Sequence, residues 1–113
     1  PYDELPRYLT HANVGIIPFK RTPLVESVSP LKLFEFLAAG LPVVSTGWKE
    51  LESLGSPAML ASDATQFVHL VSRCINENLK EKEGDRYREY AKSQSWRVRF
   101  DAATDVLDPI LKA

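Results

Sequence analysis

The stretch from Ser27 to Thr46, SVSPLKLFEFLAAGLPVVST, leaves this chain few ways to fold. Ser29 is a good helix N-cap, because its hydroxyl can accept a backbone N–H that the first turn leaves unpaired. Pro30 then falls at the first helical position, where its missing N–H costs nothing and its fixed φ suits a helix. Gly40 stops the helix as a left-handed residue, and Pro42 prevents continuation. The spacing predicts a helix over about residues 30–39, followed at once by a buried strand over Leu41 to Ser45.

Leu31, Leu33, Phe34, Phe36, Leu37, Ala38 and Ala39 make that helix apolar almost all round, so it is expected to be largely buried. Lys32 and Glu35 are its only charges, at i and i+3 on one face. A buried charge is costly unless paired or ligated, so this face must meet water, its own partner or a ligand. The residues leave two readings open. One is a partly exposed intrahelical ion pair, worth ~0.2–0.5 kcal/mol. The other is a polyphosphate and sugar site, in which the helix N-terminus favours an anion, Lys32 adds a positive charge and Glu35 accepts from vicinal hydroxyls.

In order and spacing, Pro30-x-Lys32-x-x-Glu35-x-x-Ala38-x-Gly40-x-Pro42-Val43-Val44 resembles the nucleotide-sugar signature in the C-terminal domain of GT-B glycosyltransferases, nearest the group-1 type of the E-x7-E enzymes. The resemblance implies that Glu35 binds the ribose hydroxyls, that Lys32 meets the diphosphate, and that Ser27, Val28, Ser29, Pro30 and Leu31 form a loop shaping the sugar and phosphate pocket. It departs at one point: the first glutamate of E-x7-E falls on Ser27, with Glu26 one residue out of register. The donor-sugar contacts and the retaining outcome usual for that branch therefore do not carry over to a matching residue.

Composition narrows the field. At 113 residues the chain is one domain at most, and a net charge of −1 gives no electrostatic case for nucleic acid or an anionic membrane as the main partner. A single cysteine, Cys74, excludes an internal disulfide and a cysteine metal cluster. No carboxylate or histidine cluster has metal-ligand spacing, and the resemblance implies a donor diphosphate held by protein cations, so no cofactor and no metal are expected. No apolar run reaches the roughly 18 residues of a membrane span. A dinucleotide oxidoreductase would carry G-x-G-x-x-G between strand and helix, and a phosphoacceptor receiver would cluster aspartates at strand ends; Asp3, Asp63 and Asp85 do neither.

Elsewhere the pattern alternates. A short helix is expected before Thr10, with Asp3 or Glu4 near its start. Val14 to Phe19 is a continuous apolar run, the pattern of a strand covered on both faces. Lys20 and Arg21 follow in a loop at its carboxyl end, where open α/β sheets bind ligands. Trp48 emerges after the second strand. A short helix over Glu50 to Leu54 is closed by Gly55, and Ala58 to Ala61 is a third, weaker strand. Asp63 or Thr65 starts a helix to about Asn78, with Phe67, Leu70, Val71 and Cys74 on its buried side. His11 and His69 read as solvated. Lys80 to Arg88 is a mixed-charge run around Gly84, expected as a solvated linker into a short helix. From Ser95 to Ala113 the spacing of Val98, Phe100, Val106, Leu107, Ile110 and Leu111 is helical, with Pro109 kinking the end. Ser-Trp-x-x-Arg endings also occur in the GT-B enzymes, where the last helix packs back across the domain cleft.

The expectation is an α/β fold: three strands alternating with helices imply a parallel sheet flanked by helices, and the resemblance implies that it is a partial Rossmann-like sheet of about three strands in spatial order first-second-third. Residues 1–113 would be a fragment of the C-terminal donor-binding domain, with the N-terminal domain and the first half of this domain lying outside it. The Val14–Phe19 strand would then be an open edge, covered by a second copy of the chain or by the chain's own terminus. The resemblance implies a glycosyltransferase that moves a sugar from a nucleotide-diphosphate donor to an acceptor such as a polysaccharide or glycolipid. It also implies a cytoplasmic location, peripheral at the inner membrane face where the acceptor is lipid-linked. The piece alone would be inactive, with no catalytic residue of its own. The alternative is a non-catalytic α/β interaction or regulatory module, in which Lys32 and Glu35 are only an ion pair.

Overall fold

A computed structural model of the chain describes residues 4–18, 31–47 and 49–111. The elements alternate: α1 (Leu5–Leu9), β1 (Gly15–Ile17), α2 (Leu31–Ala38), β2 (Val43–Thr46), α3 (Lys49–Ser53), β3 (Met59–Ala61), α4 (Ala64–Asn76), α5 (Leu79–Ser93) and α6 (Trp96–Leu111). The three strands form a parallel sheet in the order β1-β2-β3, with Gly15 opposite Val43, Ser45 opposite Leu60 and the other pairs in step. This is the α/β, Rossmann-like half-sheet expected from the alternation of apolar runs with capped helices. The strands are shorter than the apolar runs that announce them.

β2 is central and covered on both faces. Val43, Val44 and Ser45 have no exposed surface, and the Ser45 hydroxyl is satisfied by the carbonyls of Ile17 and Thr46 at 3.2 and 2.7 Å. One face carries the main core, in which Leu33 and Leu37 of α2 meet Ile17, Val43, Leu51 and Tyr87. Each such leucine contributes about 1.5–3 kcal/mol by leaving water.

α2 ends as the sequence demands. Gly40 adopts φ +78°, its N–H donates to the Leu37 carbonyl at 2.9 Å, and the Leu41 N–H reaches the Phe36 carbonyl at 3.1 Å. These are the two bonds of a Schellman cap, closed by a fully buried Leu41. Ser29 and Pro30, the residues expected to start the helix, lie outside the described residues, as do Phe19, Lys20, Arg21 and Trp48.

Two expectations need correction. The charged run at 80–88 is no linker but the body of α5, a 15-residue helix. Its charges pair along the helix, Glu83 with Arg86 at 3.1 Å and Asp85 with Arg88 at 2.6 Å, while Gly84 and Tyr87 turn inward. Gly84 eases a close contact: a Cβ there would stand 3.3 Å from the Gly40 carbonyl, a tight approach, so α5 lies directly on the cap of α2. The N-terminal end of α5 is tied down too, because Lys80 Nζ donates to the carbonyls of Thr10 and Ala12 at 2.6 and 2.7 Å.

The second correction concerns apolar surface. α2 is only half covered: Leu33 and Leu37 are buried, but Leu31 is 62% exposed. On α6 the apolar spacing marks no buried stripe, since Val98, Phe100, Val106, Leu107 and Ile110 stand in solvent. The radius of gyration, 16.1 Å, accordingly exceeds the ~13 Å of a compact chain of this length.

By contrast, α4 starts as read. The Asp63 carboxylate accepts the Gln66 N–H at 2.7 Å as an N-cap, and the Gln66 side-chain oxygen accepts the N–H of Ser62, the residue before the cap, at 2.6 Å. Cys74 is its buried anchor, and His69 is exposed.

Gly15 and Gly55 separate two reasons for a glycine. A Cβ on Gly15 would sit 2.5 Å from the Phe36 ring, whereas one on Gly55, at φ +62°, meets nothing within 4 Å. Gly15→Ala is expected to cost about 1–3 kcal/mol through overpacking. Gly55→Ala should cost ~1–2 kcal/mol through its backbone alone. Urea titrations with and without Phe36→Ala distinguish them: the Gly15 cost shrinks in the double variant, and the Gly55 cost adds unchanged.

Candidate functional site

The N-terminal end of α2 lies on the side of the sheet where the strands end, because β1 and β2 are parallel and α2 joins them. Ligands of open α/β sheets bind on that side. With Leu33 and Leu37 fixing one face of α2 to the core, positions 31, 34, 35 and 38 fall on another. Leu31, Phe34, Glu35 and Ala38 line a cleft of about 630 Å³ that α5 and α6 close from the far side. Of the four residues at i, i+3, i+4 and i+7, three are apolar or small and the fourth, Glu35, presents the one carboxylate.

Of the residues singled out in the sequence, three are described. Glu35 stands in the cleft with its side chain 27% exposed. Lys32 lies beside it, 63% exposed, with Nζ 3.8 Å from the Glu35 carboxylate. The two are brought together as an i,i+3 ion pair of the loosest kind. Leu31 is the first residue of α2 rather than part of a loop. Ser27, Val28, Ser29 and Pro30 lie outside the described residues.

The cleft also holds groups that sequence reasoning passed over. Arg88 and Lys92 enter from α5 and Arg99 from α6. The Arg99 guanidinium sits over the Phe34 ring, 5.0 Å from its centroid. Arg88 runs against Gly40, where a Cβ would collide with its guanidinium. The signal that would have found them is the helical phase of Gly84, Tyr87 and Ala91 within the charged run, which sets positions 88 and 92 beside that buried face.

A second cleft, about 710 Å³, opens across the carboxyl ends of the strands, between Pro18, Thr46, Gly47, Ser62, Asp63 and Phe67. Its charged lining residues are Glu52 and Asp63, both acidic. Among the described residues no three His, Cys, Asp or Glu side chains gather in a metal-binding group. No helix among them is long and apolar enough to cross a membrane.

The groups whose protons burial holds more tightly than usual do not line either cleft. Burial pushes the Cys74 thiol above its ordinary range, partly offset by Arg73. It likewise raises Tyr87, against the pull of Arg86, and Tyr90, against that of Arg99. Cys74 is a core group and no nucleophile, since the thiolate is the reactive form.

The chain is 33% identical over 101 residues to the Bacillus subtilis (strain 168) protein named "Putative teichuronic acid biosynthesis glycosyltransferase TuaH". The match covers 86% of this chain and 25% of that protein, so the chain spans about a quarter of the length of the curated relative it matches. No protein-family model matches the chain. No solved structure matches it. Over most of its length the chain is thus similar to part of a protein named as a glycosyltransferase, and its parallel α/β half-sheet is compatible with that likeness.

The raised thiol and phenols set the alkaline limit of the fold. Each holds its proton more tightly folded than unfolded, so their contribution is complete below the ordinary cysteine value of about 8.5 and is lost as pH climbs past it, then further past the tyrosine value of ~10. Urea midpoints measured at pH 7, 9 and 10.5 should fall in that order, and Cys74→Ala should remove the first part of the decline.

Proposed function

We propose that the chain is the donor-binding part of a GT-B glycosyltransferase that moves a sugar from a nucleotide-diphosphate donor to an acceptor such as a polysaccharide or glycolipid. The observation that carries this reading is Glu35: a partly exposed carboxylate, in a cleft wall otherwise apolar, one turn from a lysine that holds it at only 3.8 Å. An exposed i,i+3 pair is worth ~0.2–0.5 kcal/mol, so both partners exchange it cheaply for charged hydrogen bonds of about 1.5–3 kcal/mol each.

In the reaction the bond from the sugar's anomeric carbon to the diphosphate breaks as an acceptor hydroxyl oxygen bonds to that carbon, and the hydroxyl's proton passes to a departing phosphate oxygen or to water. Negative charge grows on the departing diphosphate. Lys32 and the N–H groups at the start of α2 neutralise that charge, the kind of stabilisation that lowers the barrier most. Glu35 accepts hydrogen bonds from the ribose hydroxyls and sets the register of the nucleotide. Residues Ser27 to Leu31 shape the pocket for the diphosphate and sugar. No metal is required in this scheme. The acceptor and the remaining catalytic groups come from the rest of the enzyme, which works in the cytoplasm, at the inner membrane face when its acceptor is lipid-linked. The relative's name speaks of teichuronic acid biosynthesis and of a glycosyltransferase, and sugar transfer agrees with it.

β1 is an outer strand of the sheet, and Ile16 on it is 49% exposed. We propose that residues 14–19 pair with a further strand, in the isolated chain that of a second copy. Sedimentation should then show a concentration-dependent dimer that Ile16→Lys weakens; a monomer at all concentrations overturns this.

For the donor site, titration with UDP, GDP, ADP and their sugars is the direct test, read by ligand-observed NMR on wild type, Lys32→Ala and Glu35→Ala. One nucleotide should bind saturably, and each substitution should weaken it roughly ten- to a hundredfold. A full-length protein indifferent to every nucleotide overturns the reading and leaves the interaction module.

A further inference from the structure

A nucleotide held through Glu35 has a direction. In a ribose, the carbon that carries the diphosphate and the carbon that carries the base stand at opposite ends of the edge formed by the two hydroxyls. With those hydroxyls on Glu35 and the diphosphate at the start of α2 beside Lys32, the base points toward the end of α2, past Ala38. The helix has 8 residues and is about 12 Å long, which leaves length for both ribose and base.

Arg88 stands at that far end. Gly40 has no Cβ, and one placed on it would collide with the Arg88 guanidinium. Asp85 holds this arginine at 2.6 Å, and a guanidinium with five N–H donors is not exhausted by one such pair. Lys92 follows one turn later on α5, and Arg99 of α6 sits over the Phe34 ring, 5.0 Å from its centroid. Phe34 and Ala38 supply apolar surface for a flat ring.

The hydrogen-bonding character of the cleft is one-sided. Apart from Glu35, which the ribose engages, the polar side chains among its described lining residues are these three cations with Gln94 and Ser95. Lysine and arginine only donate, whereas an amide or a hydroxyl can donate or accept. Bases differ in what they offer such a wall. Uracil carries a carbonyl oxygen where cytosine carries an amino group, and guanine a carbonyl oxygen where adenine carries an amino group. A carbonyl oxygen accepts from a guanidinium, and amino hydrogens aimed at one are repelled. The ring N–H beside each carbonyl then needs an acceptor, which Gln94 or Ser95 provides.

We propose that the donor nucleotide carries a keto base, uracil or guanine, and that Arg88 and Arg99 read its carbonyl oxygen. The proposal rests on the donor reading of Glu35 and adds to it the kind of base. Lys32 and Glu35 meet parts that every nucleotide diphosphate shares, so they give affinity without choice. Arg88 and Arg99 give the choice.

The full-length protein is titrated by calorimetry with two pairs of nucleotides, UDP against CDP and GDP against ADP, at one salt concentration. Diphosphate and ribose are common to all four, so the affinity ratio within a pair reports the base alone. At least one keto nucleotide should bind about five- to a hundredfold more tightly than its amino counterpart. Arg88→Gln and Arg99→Gln should each shrink that ratio toward one, whereas Lys32→Ala should weaken both members of a pair equally and leave the ratio as it was. Arg88→Lys serves where Arg88→Gln unfolds the protein, which circular dichroism reports; it keeps the charge, loses the planar fork and should also lower the ratio. CDP and ADP binding as tightly as UDP and GDP overturns the proposal and leaves the donor site standing. A ratio that both arginine variants leave unchanged also overturns it, by making those cations structural. Indifference to all four nucleotides removes the donor reading itself, and the proposal with it.

Discussion

The fold depends on the close approach of α2 to the central strand and to α5. Leu33 and Leu37 are buried against Val43 on one side and Tyr87 on another, and the approach is possible because glycines stand where backbones meet. Gly15 lets the Phe36 ring lie on β1, and Gly84 lets α5 lie on the α2 cap. Interiors pack at crystal-like density, so an added methyl at such a point shifts the helix rather than filling a gap. Because α2 cannot roll, its remaining face is fixed, and with it the direction in which Glu35 and Phe34 stand.

Much of this was legible. Gly40 and Pro42 mark a helix stop through their own backbone chemistry, and a left-handed Gly40 with both Schellman bonds is what they describe. The parallel sense of the strands follows from apolar runs separated by helices, and their spatial order is the one the resemblance implies. Asp63 followed by Gln66 three residues on is a start signal, and it caps α4.

What the sequence hid is instructive. In the run from Lys80 to Arg88 the density of charge drew attention from its phase, and a glycine amid charges reads as a break. Yet Gly84 costs that helix only ~1 kcal/mol in propensity and returns a close helix contact. In α6 the helix was legible and its surroundings were not. Its apolar residues follow helical spacing, but spacing reports only that a face is apolar and not what covers it. The same limit applies at the candidate site. The spacing of Lys32 and Glu35 showed that they could pair, and they do; Arg88 and Arg99 reach that cleft through tertiary packing, from more than 50 residues away in the chain.

The tie between Lys80 and the carbonyls of Thr10 and Ala12 has a consequence for the order of folding. It spans 70 and 68 residues, and a contact of that reach must close a long loop before it returns any energy. The link from α1 to β1 is therefore fastened late, after α2, β2 and α5 have come together.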